Sequence, residues 1–192
     1  MVSTHYERLM KEKQFKNPPL LENRLIKMFP FSERDIEETY LGWLNDPVVT
    51  RFSNQRFFRH TSDSCIEYLR GFNKTENLFL LIRRQSDDSR IGTMTAYINK
   101  YHSTADMGLM IGDRSCWGMG FGQSAWNCLG EFLLYGLNIR KLTGGTLRGN
   151  LAMVSIMQKF GMTLEGVRRE QEVVEGSLQD LVYYAKFSRS GV

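Results

Sequence analysis

The spacing of apolar side chains changes period several times along the chain. From Ser32, an N-cap residue with Asp35 three positions on, Ile36, Tyr40, Trp43 and Leu44 recur at helical intervals until Asp46-Pro47 closes the run. Thr61 caps a second helix with Ile66, Leu69 and Phe72 on one face. Residues 78–82 then form a continuous apolar run, the pattern of a strand buried on both faces. Polar turns at 86–89 and 100–103 set off strands over 91–98 and 105–111, which predicts an antiparallel meander. After a glycine-dense turn, Ala125, Leu129, Phe132 and Leu133 fall on one helical stripe, and a strand follows over 141–147. Asn150 caps a last helix with the stripe Ala152, Met153, Ile156, Met157 and Phe160. Lys159 lies in its last turn and Gly161 fits the C′ position. Two strands, 162–171 and 178–187, turn around Glu175-Gly176. With a first strand over 24–29, the order is β, α, α, three β, α, β, α, two β, a mixed α/β (α+β) layer architecture.

Ahead of that order, residues 1–22 read as an N-terminal extension to a single domain over 23–192. A short polar helix is expected over 5–15, ended by Pro18-Pro19. Hydrophobic residues at 42% and charged residues at 24% exclude a disordered chain, a collagen-like repeat and a disulfide-dense mini-protein. The run at 78–82 is far short of a membrane span. Glu7, Arg8, Lys11, Glu12, Lys13 and Lys16 leave no apolar signal core. Cys65, Cys116 and Cys128 cannot all pair and lack metal-ligand spacing, so they read as reduced thiols in a cytoplasmic protein without metal. The net charge of +4 favours anionic partners. No run of five like charges appears, which argues against nucleic acid.

The chemistry concentrates in Trp117-Gly118-Met119-Gly120-Phe121-Gly122-Gln123, between a strand and a helix. Alternate glycines let backbone N–H groups approach a ligand, and the helix start adds unpaired donors and a positive dipole end. Together they make an anion site, most simply for a pyrophosphate. The spacing is neither the dinucleotide fingerprint nor a P-loop, which needs Lys-Ser/Thr where Gln123-Ser124 stands. A glycine-rich tight turn without a ligand is the other reading.

The segment from Trp117 to Ala125 resembles the acetyl-CoA pyrophosphate loop of the GNAT acetyltransferases. It is most similar to the subgroup holding ribosomal-protein N-terminal and amino-sugar acetyltransferases. Ala105-Asp106-Met107-Gly108-Leu109, the segment from Asn150 to Met162, Glu165-Gly166, Asp180 and the segment from Tyr40 to Pro47 resemble further motifs in the same order. The resemblance spans 24–188 and implies a mostly antiparallel sheet flanked by helices, with the strands over 105–111 and 141–147 splayed around acetyl-CoA. It implies pantetheine pairing with the backbone at Met110 and Ile111, where an N–H would hold the thioester oxygen. It also implies pyrophosphate held by the stretch Trp117, Gly118, Met119, Gly120, Phe121, Gly122 and Gln123, and a cofactor contact from Asn150. Asp106 matches the subgroup's strand glutamate and is the first candidate base, with His102 the second because its pKa lies near the working pH. Trp43, Arg51, Arg56 and Arg59 are expected on the acceptor side, the arginines suiting an anionic acceptor such as a nucleotide-linked amino sugar.

The chain departs from the family pattern in places. Met157 stands where many members carry a proton-donating Tyr, and Met153 where the subgroup often has Ser. Ser155 is offset by two positions and does not inherit that role. Tyr183 or Tyr184 could donate the proton instead. Cys116 and Cys128 lack His or acidic neighbours and read as inert buried thiols. The leading expectation is an N-acetyltransferase acting by direct attack of a primary amine, on a small molecule or a protein N-terminus, as monomer or homodimer. A non-catalytic acyl-CoA-binding protein and, more weakly, a ribosome-associated protein are the alternatives.

Overall fold

The computed structural model describes residues 20–188. The expected helix over 5–15 lies outside the described residues. Eight strands form one sheet: β1 (Leu21–Glu22), β2 (Ile26–Pro30), β3 (Leu78–Arg84), β4 (Arg90–Asn99), β5 (Thr104–Ile111), β6 (Lys141–Leu147), β7 (Thr163–Val174) and β8 (Ser177–Phe187). Their spatial order is β1-β2-β3-β4-β5-β6-β8-β7. The helices are α1 (Glu38–Asn45), α2 (Ser62–Asn73), α3 (Phe121–Glu131) and α4 (Leu151–Lys159). Leu21 and Glu22, read from the sequence as part of the extension, instead pair with Met28 and Lys27 at the sheet edge. The Ser32–Asp35 box closes a separate 3-10 turn over Glu33–Asp35, with the Ser32 N–H and hydroxyl both donating to Asp35, rather than opening α1.

Every strand pairing is antiparallel except one. β5 and β6 run parallel and touch only over Thr104–Asp106 against Lys141–Thr143. On their other sides both strands are fully paired, β5 with β4 and β6 with β8. Residues 107–111 therefore turn one backbone edge toward a gap instead of a neighbouring strand. Buried backbone groups need partners, so an edge opened inside a domain is where a ligand can pair. The parted pair is the splay that the resemblance implied.

Strand alternation gives the sheet two working faces. Phe79, Leu81, Thr93, Thr95, Asp106, Gly108 and Met110 share one face through the β3–β4–β5 register. There α1 and α2 close a small core of Phe31, Tyr40, Trp43, Leu69, Phe72 and Phe79. The larger core lies on the other face, where Leu129 of α3, Leu133 of the π-helical turn that follows it (Phe132–Gly136) and Met157 of α4 pack over Leu80, Met94 and Leu142. Trp126 lies against Gly144 of β6, where an added Cβ would come within 3.0 Å of the indole. Glycine at 144 is thus what lets α3 sit down beside the gap.

Candidate active site

The glycine loop is built by conformation. Asp113 accepts from the Ser115 N–H at 2.9 Å and from its hydroxyl at 2.7 Å, fixing the turn before the loop. Trp117 Nε1 donates to the Ile111 carbonyl at 2.8 Å and ties the loop to the end of β5. Gly118 (φ +75) and Gly120 (φ +86) occupy the left-handed region, which side chains strain to adopt. Gly122 has another reason: an added Cβ would meet Ile156 at 3.2 Å and Leu109 at 3.3 Å. The first bond of α3 runs from Ser124 N to Gly120 O. The N–H groups of 121–123 therefore have no acceptor within the helix, which makes this terminus receptive to an anion.

A cleft of about 1000 Å³ runs from this loop through the gap to the α1–α2 side. Met110, Ile111, Trp117, Gly118, Gly120, Gly122, Gln123 and Asn150 line it, together with Arg51 and Arg59. Met119 and Phe121 do not. Met119 is an exposed residue of the loop, and the Phe121 ring is buried in the core. Only their backbone bears on an anion. Asn150 is engaged as a cap, its Oδ1 accepting from Met153 N at 3.3 Å while its Nδ2 donates to Thr146 at 3.1 Å.

A second cavity of about 310 Å³ adjoins the cleft, and the two share Phe52, Met107, Gly145 and Thr146. Asp106 lines it, with Tyr183, Glu172 and Asn54. Burial pushes the Asp106 carboxyl above the ordinary carboxylate range, and the nearby Thr143 offsets this only in part. Tyr184 is buried, and its hydroxyl accepts from Gln158 Nε2 at 3.5 Å. Of the two tyrosines left open by the sequence, Tyr183 is the one that lines the same cavity as Asp106.

Other expected residues are not brought to the site. His102 lies in the β4–β5 turn, where its backbone N–H donates to Asn99 at 3.2 Å, and it lines neither cavity. That turn precedes β5, at the end away from the glycine loop. Trp43 is buried behind Gly112, where an added Cβ would collide with its ring at 2.1 Å. It braces the end of β5. Arg56 lines neither cavity and pairs with Glu172 at 3.4 Å, while Arg51 pairs with Glu175 at 2.6 Å. Burial raises the thiols of Cys65, Cys116 and Cys128, the last to about 11. Contrary to the sequence reading, Cys116 has an acidic neighbour, its Sγ donating to Asp113 Oδ2 at 3.4 Å, Glu131 lies near Cys128, and Cys128 is only half-buried; the carboxylates raise the thiols further and so keep them unreactive.

Ser155, set aside in the sequence, does line the cleft, with Ala152, Ile156 and Lys159. Ala152 and Ile156 belong to the stripe the sequence shows, whereas Ser155 and Lys159 lie beside it and carry no apolar signal. Glu172 and Trp126 carried no local signal. One comes from the last hairpin and the other from a helix interior.

The family description for the acetyltransferase (GNAT) domain matches residues 26–163, and the chain belongs to that family. It is an acyltransferase of the kind that N-acetylates amines. An uncharacterized N-acetyltransferase p20 of Bacillus licheniformis is 25% identical over 150 residues, covering 76% of this chain and 83% of that protein. Two solved structures share the fold. A spermidine N-acetyltransferase from Vibrio cholerae, in complex with CoA and spermine, superposes with a TM-score of 0.78 at 17% identity, covering 86% of this chain and 97% of the other. The ribosomal L7/L12 alpha-N-protein acetyltransferase RimL, in complex with coenzyme A, gives 0.77 at 15%, covering 90% and 99%. Among the described residues no helix is long and apolar enough to cross a membrane.

Proposed function

We propose that this acyltransferase moves the acetyl group of acetyl-CoA to a primary amine of a small cationic molecule, by direct attack within the parted strands. The observation that carries this reading is the cavity at the splay: the half-buried Asp106 lines it and no Lys or Arg does, while the charge of Glu172, which also lines it, is met by Arg56. Asp106 takes a proton from the ammonium group, and a raised carboxyl is suited to doing so near neutral pH. The free amine attacks the thioester carbonyl carbon. A backbone N–H at Met110 or Ile111 steadies the oxyanion. The carbon–sulfur bond then breaks as Tyr183 gives the leaving sulfur a proton, and the nitrogen releases its second proton to solvent, from which the Tyr183 phenolate is reprotonated. The pyrophosphate is held by the start of α3, whose N–H groups have no helical acceptors.

The anionic acceptor suggested by Arg51, Arg56 and Arg59 loses support. Arg51 and Arg56 are already paired with Glu175 and Glu172, and Arg59 lines the large cleft but not the small cavity. A negative phosphate beside the Asp106 carboxylate would meet repulsion in a site of low dielectric. CoA release should be measured over diamines and polyamines, free amino sugars, nucleotide-linked amino sugars, amino acids and N-terminal peptides. Cationic di- and polyamines are expected to give the highest kcat/KM. A preference for nucleotide-linked sugars would overturn the acceptor class, a preference for peptides would favour the protein N-terminus, and no release with any amine would favour acyl-CoA binding without catalysis.

A further inference from the structure

Two residues that line the cleft each carry a buried polar atom with no partner within the protein. Trp126 is 1% exposed, and its Nε1 is buried without an acceptor. Three residues earlier on α3, Gln123 Oε1 is buried without a donor. The Gln123 amide cannot simply be turned over. Its Nε2 donates to the Ile156 carbonyl at 3.2 Å, an atom that only accepts, and to Asn127 Oδ1 at 2.8 Å. Residues three apart share a helix face, and both of these line the large cleft. Gln123 faces α4 through Ile156, and Trp126 borders β6 through Gly144, so the pair lies along the wall between the glycine loop and the gap.

Leaving one donor and one acceptor both unmet in a single cleft is unfavourable unless a ligand completes them. The missing partners are a carbonyl for the indole and an N–H for the glutamine. A phosphate supplies acceptors only and would meet the Gln123 oxygen unfavourably. A secondary amide supplies both groups. We infer that Gln123 and Trp126 form a side-chain cradle for the amide groups of the pantetheine arm of acetyl-CoA, with the Trp126 N–H donating to a carbonyl and Gln123 Oε1 accepting from an N–H. The inference rests on acetyl-CoA being the acetyl donor. It adds side-chain recognition to a loop whose hold on the pyrophosphate is through backbone.

The test compares acetyl-CoA with adenosine 3′,5′-bisphosphate, which lacks the arm. In isotope-labelled wild-type protein, saturating acetyl-CoA should move the Trp126 indole N–H signal and slow its exchange with solvent, while the bisphosphate should leave it in place. By calorimetry, Trp126→Phe and Gln123→Met should each bind acetyl-CoA about 3- to 10-fold more weakly, the worth of one hydrogen bond, with bisphosphate affinity unchanged. An indole signal unmoved at saturation would overturn the cradle, since a buried water bridging both atoms would behave that way. So would an equal loss of affinity for the two ligands in Trp126→Phe. Wild-type protein that binds no acetyl-CoA would instead remove the donor reading itself, and the cradle with it.

Discussion

At the scale of single residues, burial and partners decide which side chains can act. Asp106 is the carboxylate at the splay whose burial raises its pKa, and the fold and the chemistry make opposite demands on it. Between the unfolded-chain value and the raised folded value, the folded protein keeps a proton that the unfolded chain has released. Stability therefore falls as pH rises through that window and stays lower above it. Asp106→Asn should melt at the same or a higher temperature than wild type at neutral pH, with the difference closing in acid. Its turnover should drop about 10²- to 10⁴-fold, and the acidic limb of the pH–rate profile should disappear. Melting curves and rates taken on the same samples check both, and a variant that unfolds early while keeping its rate would remove Asp106 from the mechanism. Gly120 makes the second case. An added Cβ there meets nothing, yet φ is +86, so the strain is purely one of backbone. Gly120→Val should distort the start of α3 and weaken acetyl-CoA binding at least tenfold while the far cores stay intact. Calorimetry with circular dichroism beside it separates these outcomes.

Elements act here by how closely they approach. α3 and α4 meet at Gly130, where a Cβ would lie 2.4 Å from the Phe160 ring. Helix propensity alone favours Gly130→Ala by about 1 kcal/mol. Overpacking a core costs about 1–3 kcal/mol, and the Phe160 ring is buried, so packing should win. The expected result is a lower melting temperature and weaker acetyl-CoA binding, because α4 carries Asn150 and Ser155 into the cleft. A stabilised variant would mean that the ring can move aside freely. β7 shows another device. Its pairing with β8 shifts register between Arg168 and Glu172, with Glu170 at φ +48. The bend brings Glu172 to the small cavity while Glu175-Gly176 closes the hairpin with both φ values positive.

For the whole molecule, ligand and fold are coupled through the gap. The sheet is continuous except where β5 and β6 part, and the two cores lie on opposite faces of it. A donor that fills the gap should stabilise the folded state as a missing strand would. At a concentration 100 times its dissociation constant, the linkage gain is about 2.7 kcal/mol. For a chain of this size that corresponds to a rise of about 5–10 °C in melting temperature. Thermal melts with and without acetyl-CoA measure it, and no shift at saturation would mean that the gap is not where the donor binds.

The order of elements was legible in the sequence, because period-2 and helical spacing record which face of each element is buried, and burial acts locally on every residue. The glycine loop was legible for a related reason: a left-handed backbone admits few residue types, so Gly118 and Gly120 announce it. The caps at Thr61 and Asn150 were legible as single hydroxyl and amide groups facing the next turn. What the sequence did not determine is which charges meet. Arg56 and Glu172 lie 116 residues apart, and their pairing, which cancels a positive charge expected on the acceptor side, exists only after the hairpin folds across the sheet. His102 and Asp106 are four positions apart and indistinguishable as bases by type, yet one belongs to an outer turn and the other to the cavity. Tertiary structure settled these points because pairing and desolvation depend on distance in space, which local periodicity does not encode.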